Sequence, residues 1–306
     1  MTATDSLNRQ VTVEYNVNEG SPYGVSDKIT YKGNNGATRI VRVSKGSLSA
    51  ALKSGETLKT GAQLFPIMSG DTSTVNPGDI VSSVWLPDGR RYQFFYNAYA
   101  DLAKVVLPTG GTIEYDWWGS DNYIGIYRRV TERRSYPDGA TLESKTVYDI
   151  PNFSNPNPIV VRQLATNGTQ LTELSVEKHY FYGNPWYESI PPGPYQPQPD
   201  WNVGREFETE VYSSDGTTLL QETTQTWYQD TTAYPLNNPR IIEKTLKLAD
   251  TNQISKQTFS YDQFNNITDT YEYDYGTGAA GVCQHNLGKG NHFILVKVCL
   301  IEIKPL

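Results

Sequence analysis

Two pairs of carboxylates have a spacing that could support acid–base chemistry. Glu114 and Asp116 lie two residues apart, and so do Glu272 and Asp274. Two carboxylates that face each other across a cleft can hydrolyse a glycosidic bond. Residues two apart on a strand share one face of a sheet, however, and we expect Glu114 and Asp116 to lie on a polar, hydrated face. We therefore predict that the chain is not an enzyme and assign no catalytic residue.

A second set of side chains could bind zinc, because Cys and His are the usual zinc ligands. The set consists of Cys283, His285, His292 and Cys299. Its spacing matches no common zinc module, and the paired Cys-x-x-Cys arrangement is missing. A disulfide bond between the two cysteines stays open as an alternative, and unpaired structural residues are the interpretation that we favour. We predict no metal and no cofactor.

Flat aromatic side chains are the candidates for ligand binding. A sugar ring can stack on Trp or Tyr while its polar edge stays hydrated. The candidates are Trp118, Trp186, Tyr195 and Trp201. The alternative is packing within the core, because neighbouring residues on a strand point to opposite faces.

The composition favours extended structure. The chain has 22 Tyr, 6 Trp and 9 Phe but only 2 Met, and aromatic side chains pack well on a pleated surface. With 37% hydrophobic residues and a mean hydropathy of -0.54, we expect strands with one packed and one hydrated face, as in antiparallel sheets. The composition therefore predicts an all-β fold.

The charge argues against nucleic acid as a partner. The net charge is -7, whereas binding to phosphates requires a basic surface. The basic residues are concentrated at 128–134, and we expect them to form a solvated strand surface. No stretch approaches the roughly 18 apolar residues of a membrane span, and the first residues do not have the pattern of a signal peptide.

Turn signals recur between strand-like runs and predict antiparallel hairpins, because Pro, Asp, Asn and Gly each favour a turn conformation. They are Pro87-Asp88-Gly89, Pro108-Thr109-Gly110-Gly111, Pro137-Asp138-Gly139, Asn167-Gly168, Asp215-Gly216 and Asp250-Thr251-Asn252. Between them, bulky and polar residues alternate, as in 112–117, which is the period of a strand.

Three segments are predicted along the chain. Residues 1–80 form a loop-rich β segment in which 47–64 makes short helical turns, because its glycines prevent a long helix. Residues 81–281 form the array of hairpins, interrupted by a proline-rich loop at 184–201. Residues 282–306 are an atypical tail without tyrosine.

One sequence motif occurs twice. Residues 261–268 read Tyr-Asp-Gln-Phe-Asn-Asn-Ile-Thr, and residues 95–103 contain a looser copy. The pattern resembles the YD-repeat family, also called Rhs repeats, whose repeat reads roughly Tyr-x-Tyr-Asp-x-x-Gly-Asn/Arg-Leu-Thr. Asn265 and Ala100 take the glycine position, and Asn97 replaces the aspartate. The family includes bacterial cell-surface and toxin-encapsulating proteins and the animal teneurins.

The resemblance implies a long, curved sheet of stacked hairpins that forms a segment of a shell, secreted or at the cell surface. The implied partners are other YD-repeat segments of the same or a longer polypeptide, with an encapsulated polypeptide or a glycan as further partners. The residues expected to build the repeats are Tyr96, Tyr99, Tyr115, Tyr261, Asp262, Asn265, Tyr273 and Asp274. We expect their tyrosines to form ladders between strands.

The resemblance has a limit, because many bacterial members release an enclosed domain by self-cleavage at a site marked by Asp-Pro. That dipeptide is missing here, so we predict neither self-cleavage nor an attached toxin. The sequence thus predicts a non-enzymatic structural module, with a carbohydrate-binding or adhesion module as the alternative.

Overall fold

The computed structural model describes residues 1–65, 70–74, 76–118, 121–122, 125–126, 128–149, 157–168, 170–183, 201–230 and 238–286. The predicted proline-rich loop therefore lies outside the described residues except for Trp201, and so does most of the predicted tail.

Strands dominate the described chain, and the helical elements are short. The strands are β1 (Thr2–Thr4), β2 (Gln10–Asn18), β3 (Val25–Lys32), β4 (Thr38–Gly46), β5 (Ile80–Trp85), β6 (Arg91–Tyr96), β7 (Leu102–Val106), β8 (Thr112–Trp118), β9 (Asp121–Asn122), β10 (Gly125–Ile126), β11 (Arg129–Tyr136), β12 (Ser144–Asp149), β13 (Ile159–Asn167), β14 (Gln170–Phe181), β15 (Glu206–Tyr212), β16 (Leu219–Tyr228), β17 (Arg240–Leu248), β18 (Gln253–Tyr261), β19 (Ile267–Thr277) and β20 (Cys283–Asn286). The helical elements are two 3₁₀ turns, Asn34–Gly36 and Leu48–Ala51, and the single helical turn α1, Gly61–Leu64.

One type of turn connects many of these strands. The first residue of a five-residue segment donates its N–H to the carbonyl of the fifth, and the fourth donates its N–H back to the carbonyl of the first. The segments are Asp5–Arg9, Gly33–Ala37, Leu86–Arg90, Asn97–Asp101, Leu107–Gly111 and Asp262–Asn266. The fourth residue has a positive φ in each, and it is Gly or Asn except at Ala100. This is the hairpin with a three-residue loop and a bulge.

The chain divides into two compact units. Unit 1 comprises Met1–Val147 and Ala165–Leu171, and unit 2 comprises Tyr148–Leu164 and Thr172–Leu306. The predicted segment boundaries at residues 80 and 281 stay predictions.

Unit 1 is an antiparallel meander in which β1 to β8 pair in chain order and β11 joins β8 to β12. Because direct cross-strand partners share a face, the register separates two faces. The apolar face carries Val13, Ile29, Val41, Val43, Val84, Tyr92, Phe94, Val105 and Ile113. The charged face carries Glu14, Lys28, Arg42, Arg91, Lys104, Glu114, Arg134 and Lys145.

The core of unit 1 lies where the long connection between β4 and β5 meets the turn after β6. Leu48 and Leu64 of this connection are each only 2% exposed, as is Ala98 of the turn. The Tyr99 hydroxyl donates to the Leu64 carbonyl at 2.9 Å, and the N–H of Lys53 donates to a β6 carbonyl. The connection contains the short helical turns that the sequence predicts.

Unit 2 is a second antiparallel meander, in which β14 to β20 pair in chain order. Among its described residues, Val176 is the one apolar side chain that is strongly buried, at 2% exposure. Cohesion of this unit therefore depends mainly on main-chain pairing and on many half-buried side chains. The predicted all-β fold of successive antiparallel hairpins is confirmed.

Candidate functional site

The looser copy of the repeat motif forms a closed turn between β6 and β7. The Asn97 Oδ1 atom accepts hydrogen bonds from the backbone N–H groups of Tyr99, at 2.9 Å, and Asp101, at 3.0 Å. The Asn97 Nδ2 atom donates to the Asp101 carboxylate at 3.0 Å. Ala100 has a φ of 65°, a conformation that glycine adopts without strain and alanine does not. The glycine position of the repeat motif, which Ala100 occupies here, therefore corresponds to the turn residue with a positive φ.

The clearer copy forms the same turn between β18 and β19. The Asp262 Oδ1 atom accepts from the N–H groups of Phe264, at 2.8 Å, and Asn266, at 2.9 Å. Hydrogen bonds from Asn266, first from its side chain and then from its backbone, lower the pKa of Asp262. Asn265, in the glycine position, has a φ of 66°. The two copies thus share the backbone hydrogen bonds and the positive φ of the turn, although they lie in different units.

The tyrosine that precedes each turn is held by the preceding strand. The Tyr96 hydroxyl donates to the Val81 carbonyl and the Tyr261 hydroxyl to the Ile241 carbonyl, each at 2.6 Å. Burial raises the pKa of both tyrosines. The hydroxyl groups therefore satisfy main-chain carbonyls, a role that a sequence motif cannot reveal.

Two tryptophans make the equivalent contact from their indole nitrogens. Trp117 Nε1 donates to the Leu102 carbonyl at 2.8 Å, and Trp227 Nε1 donates to the Glu206 carbonyl at 2.7 Å. Each bond joins neighbouring strands, β7 to β8 and β15 to β16. An aromatic side chain that donates a hydrogen bond to a main-chain carbonyl of the preceding strand thus occurs in both units.

A further copy of the turn lies at Asp5–Arg9 and escaped the sequence analysis. The Asp5 Oδ1 atom accepts from the N–H groups of Leu7 and Arg9, both at 2.9 Å, and Asn8 has a φ of 59°. The signal was present as Asp-x-x-Asn-Arg, with Asn in the glycine position. It was missed because no tyrosine precedes Asp5.

The repeat tyrosines do not form the ladder that we expected. Tyr96 lies opposite Leu102, Tyr115 opposite Arg133, Tyr261 opposite Ile267, and Tyr273 between Lys256 and Cys283. Aromatic ring contacts of the described tyrosines include Tyr23 with Trp85, Tyr99 with Phe65, and Tyr180 and Tyr182 with Phe207. The strand register, which the sequence does not show, places other side chains opposite these rings.

On the face of β8 that we predicted to be hydrated, Asp116 is 50% exposed, whereas Glu114 lies within a network of ion pairs. The Glu114 side chain is 17% exposed and contacts Lys53 and Lys104, both at 3.1 Å. Arg134 contacts Glu114 at 3.6 Å and Asp116 at 2.6 Å. The network also corrects our expectation for the basic cluster at 128–134, because Arg134 is 16% exposed.

The electrostatics of this network keep its carboxylates ionised. Burial alone raises the pKa of Glu114, but the hydrogen bonds from Lys53 and Lys104 outweigh burial and lower the pKa. The hydrogen bond from Arg134 lowers the pKa of Asp116 in the same way. Neither group holds a proton near neutral pH.

A groove of about 380 Å³ in unit 1, here called the Trp118 groove, contains several of the predicted residues. Its aromatic lining is Tyr99, Tyr115, Trp117 and Trp118, and its charged lining is Lys53, Glu56, Lys59, Asp116 and Arg128. Trp118 is 42% exposed. The groove is therefore lined both by the exposed Trp118 and by two repeat tyrosines, Tyr99 and Tyr115.

A second groove of about 380 Å³ lies in unit 2 and brings together Tyr273 and Asp274 with polar residues of β16, β17 and β18. Trp201, also in unit 2, is 40% exposed. Trp186 and Tyr195 lie outside the described residues. Of the predicted stacking residues, the structure thus places Trp118 in a groove.

The described residues contain no group of three or more His, Cys, Asp or Glu side chains that could hold a metal. His292 and Cys299 of the predicted ligand set lie outside the described residues. In the part of the chain that the structure describes, no helix has the length and apolar character needed to cross a membrane.

No family model and no curated protein matches the sequence. Similar solved structures include a crystal structure of TcdB2-TccC3-Cdc42, with 10% identity and a TM-score of 0.21 over 81% of this chain. They also include the Photorhabdus luminescens Tc holotoxin pore, with 10% identity and a TM-score of 0.21 over 89% of this chain. The chain spans only 15% and 17% of those chains. These TM-scores are too low to support an argument about fold or function.

Proposed function

We propose that this chain is a non-enzymatic structural module, a segment of a YD-repeat protein of the surface or toxin-encapsulating type. In this proposal the protein is secreted or displayed at the cell surface. Its partners are other YD-repeat segments and an enclosed polypeptide.

The observation that carries the proposal is the repeated turn with its tyrosine. In the turns at Asn97 and Asp262 the first side chain accepts the same two backbone hydrogen bonds, and the fourth residue has a positive φ. The first and fifth side chains also bond to each other, with Asn97 as the donor in one turn and Asn266 in the other. The tyrosine before each turn bonds to the preceding strand. A hairpin that forms the hydrogen bonds of its own turn and also bonds to the preceding strand can be repeated along a sheet, which is what a structural sheet requires.

The electrostatics support a role without catalysis. A general acid needs a pKa raised towards the working pH, whereas cations lower the pKa of Glu114 and Asp116. Glu114 and Asp116, one of the two carboxylate pairs that the sequence offered for glycoside hydrolysis, therefore lack a proton donor.

The coding sequence on both sides tests the structural proposal. We expect further Tyr-Asp or Tyr-Asn turns at hairpin spacing, on at least one side. Flanking sequence that lacks such turns, on both sides, would contradict the proposal.

An activity screen tests the non-enzymatic part. The purified chain, incubated with a panel of chromogenic glycosides, should show no turnover above a heat-denatured sample. Turnover that disappears in Glu114→Gln or Glu272→Gln would show instead that the chain is a glycosidase.

Carbohydrate binding is the second candidate, and the observation that favours it is that Trp118 lines a groove and is 42% exposed. On a glycan array, we expect binding that Trp118→Ala removes. Trp201→Ala tests the other predicted stacking residue that the structure describes, an exposed tryptophan of the other unit. Binding that both variants lose equally would contradict a site at Trp118.

A further inference from the structure

Arg128 is held in a fixed orientation at the wall of the Trp118 groove. Its guanidinium carbon lies 3.5 Å from the centroid of the Tyr99 ring, and its Nε atom donates to the Asp101 carboxylate at 2.5 Å. The side chain is only 13% exposed. A planar guanidinium that is stacked and bonded on one edge has lost most of its rotational freedom before any ligand arrives.

The other edge of this guanidinium has no hydrogen-bond partner among the described residues. The terminal nitrogens Nη1 and Nη2 of Arg128 make no hydrogen bond to any residue that the structure describes. Two parallel N–H groups of arginine match the two oxygens of a carboxylate. The Arg128 guanidinium is therefore already oriented to bind a carboxylate through two N–H groups.

Lys59 adds a second positive charge with no described ion-pair partner. It is an exposed groove residue and appears in no ion pair among the described side chains. Lys53, by contrast, already contacts Glu114 at 3.1 Å. Arg128 is likewise paired with Asp101, so the positive charge without a described counter-ion comes from Lys59, and Arg128 adds the N–H donors of its Nη1 and Nη2 atoms.

We propose that the Trp118 groove binds an acidic saccharide, one whose sugar ring carries a carboxylate. The sugar ring stacks on Trp118, which is 42% exposed, and the carboxylate pairs with Arg128 and is attracted by Lys59. The groove volume of about 380 Å³ lies at the lower end of the range for small-molecule sites. This inference rests on the second candidate function, carbohydrate binding.

The remaining lining favours a saccharide over an acidic peptide. Glu56 is a groove residue that forms no ion pair with any described side chain, and its oxygens can accept hydrogen bonds from sugar hydroxyls. The same carboxylate repels a ligand with many negative charges. A hydroxyl-rich ligand with a single carboxylate per ring can bond to both the acidic and the basic residues that line the groove.

Isothermal titration calorimetry at low salt tests the proposal with three probes: an oligosaccharide that contains glucuronic acid, its neutral glucose counterpart, and an oligoglutamate peptide of similar length. We expect the acidic sugar to bind about 10-fold more tightly than the neutral one, since one charge-assisted hydrogen bond is worth about this factor. Its affinity should fall as salt is added.

Variants separate the charge from the stacking. Lys59→Gln should weaken the acidic sugar about 3-fold to 10-fold and leave the neutral sugar unchanged, whereas Trp118→Ala should weaken both sugars about 10-fold. Arg128→Gln should abolish the preference for the acidic sugar, with circular dichroism as the check on folding. Arg39→Gln, which removes an exposed arginine of unit 1 on β4, is the control and should change nothing.

Each outcome decides a different point. Equal affinity for acidic and neutral sugars would overturn the acidic preference and leave carbohydrate binding intact. Tighter binding of oligoglutamate would overturn the saccharide and favour a peptide. No binding of any probe would overturn both this inference and the carbohydrate candidate, while the structural proposal keeps its own tests.

Discussion

Removing one hydroxyl group tests whether the hydrogen bonds from the repeat tyrosines to the preceding strands stabilise the fold. Tyr96→Phe and Tyr261→Phe each delete a phenol oxygen that lies 2.6 Å from a main-chain carbonyl of the preceding strand. The net worth of a buried neutral hydrogen bond is about 0.5–1.5 kcal/mol. The ring and its packing stay in place, so we expect each substitution to lower the free energy of unfolding by about 1 kcal/mol.

Urea denaturation followed by circular dichroism measures this effect. The midpoint should fall while the slope stays the same, because the substitutions change stability and leave the surface exposed on unfolding unchanged. If the two units unfold in separate steps, each substitution should shift the step of its own unit. The two variants share no partner, so the double variant should lose about the sum of the two effects.

Tyr15→Phe is the matched control. Tyr15 is 59% exposed, and its hydroxyl contacts only the Met1 sulfur, at 3.8 Å, among the described residues. Its substitution should change stability by less than about 0.5 kcal/mol. A loss at Tyr15 as large as that at Tyr96 and Tyr261, or no loss at either of these two, would refute the role of the hydroxyl groups.

Three further predictions follow from the same geometry. Ala100→Gly should stabilise unit 1 by about 0.5–1 kcal/mol in thermal unfolding. The positive φ costs alanine about 1–2 kcal/mol, and the greater conformational entropy of glycine in the unfolded chain offsets part of the gain. Destabilisation would show that the turn is not strained. Glu114→Gln should destabilise the chain by about 1–2 kcal/mol, after allowance for solvent screening, and the difference from the unsubstituted chain should shrink in high salt; a neutral result would show that the network contributes nothing. The hydrogen bond with Glu206 raises the pKa of His179 above 6.5. The stabilisation from this pairing is therefore full below pH 6.5 and is lost as the pH rises through the folded-state pKa of His179. The free energy of unfolding, measured across this range, should lose that pH dependence in His179→Gln, and an unchanged pH profile would contradict the pairing.

Local signals were enough to predict the hairpins. The turn at Asp262–Asn266 is closed by bonds between residues two and four apart, and its positive φ falls on Asn265. All of these lie within one short segment of sequence, so residue type alone indicates the turn. The turn at Asp5–Arg9 has the same local signals without the preceding tyrosine.

The candidate site was only partly predictable. The sequence indicated Trp118 as a stacking residue but gave no reason to place Lys59 or Arg128 beside it. Those two residues come from the β4–β5 connection and from the segment after β10, far from each other along the chain. The hydration of Glu114 was predicted wrongly, because the cations that cover it lie on other strands and on that same connection.

The sequence by itself determined the strands and their turns, because alternation and turn residues act within a few positions of the chain. The tertiary structure alone decided which side chains meet across neighbouring strands. Register brings Glu114 opposite Lys104 and Arg134, and it brings the Tyr96 and Tyr261 hydroxyls to carbonyls 15 and 20 residues away. Hydrogen bonds and ion pairs depend on distances of a few ångströms, which a pattern of residue types does not contain.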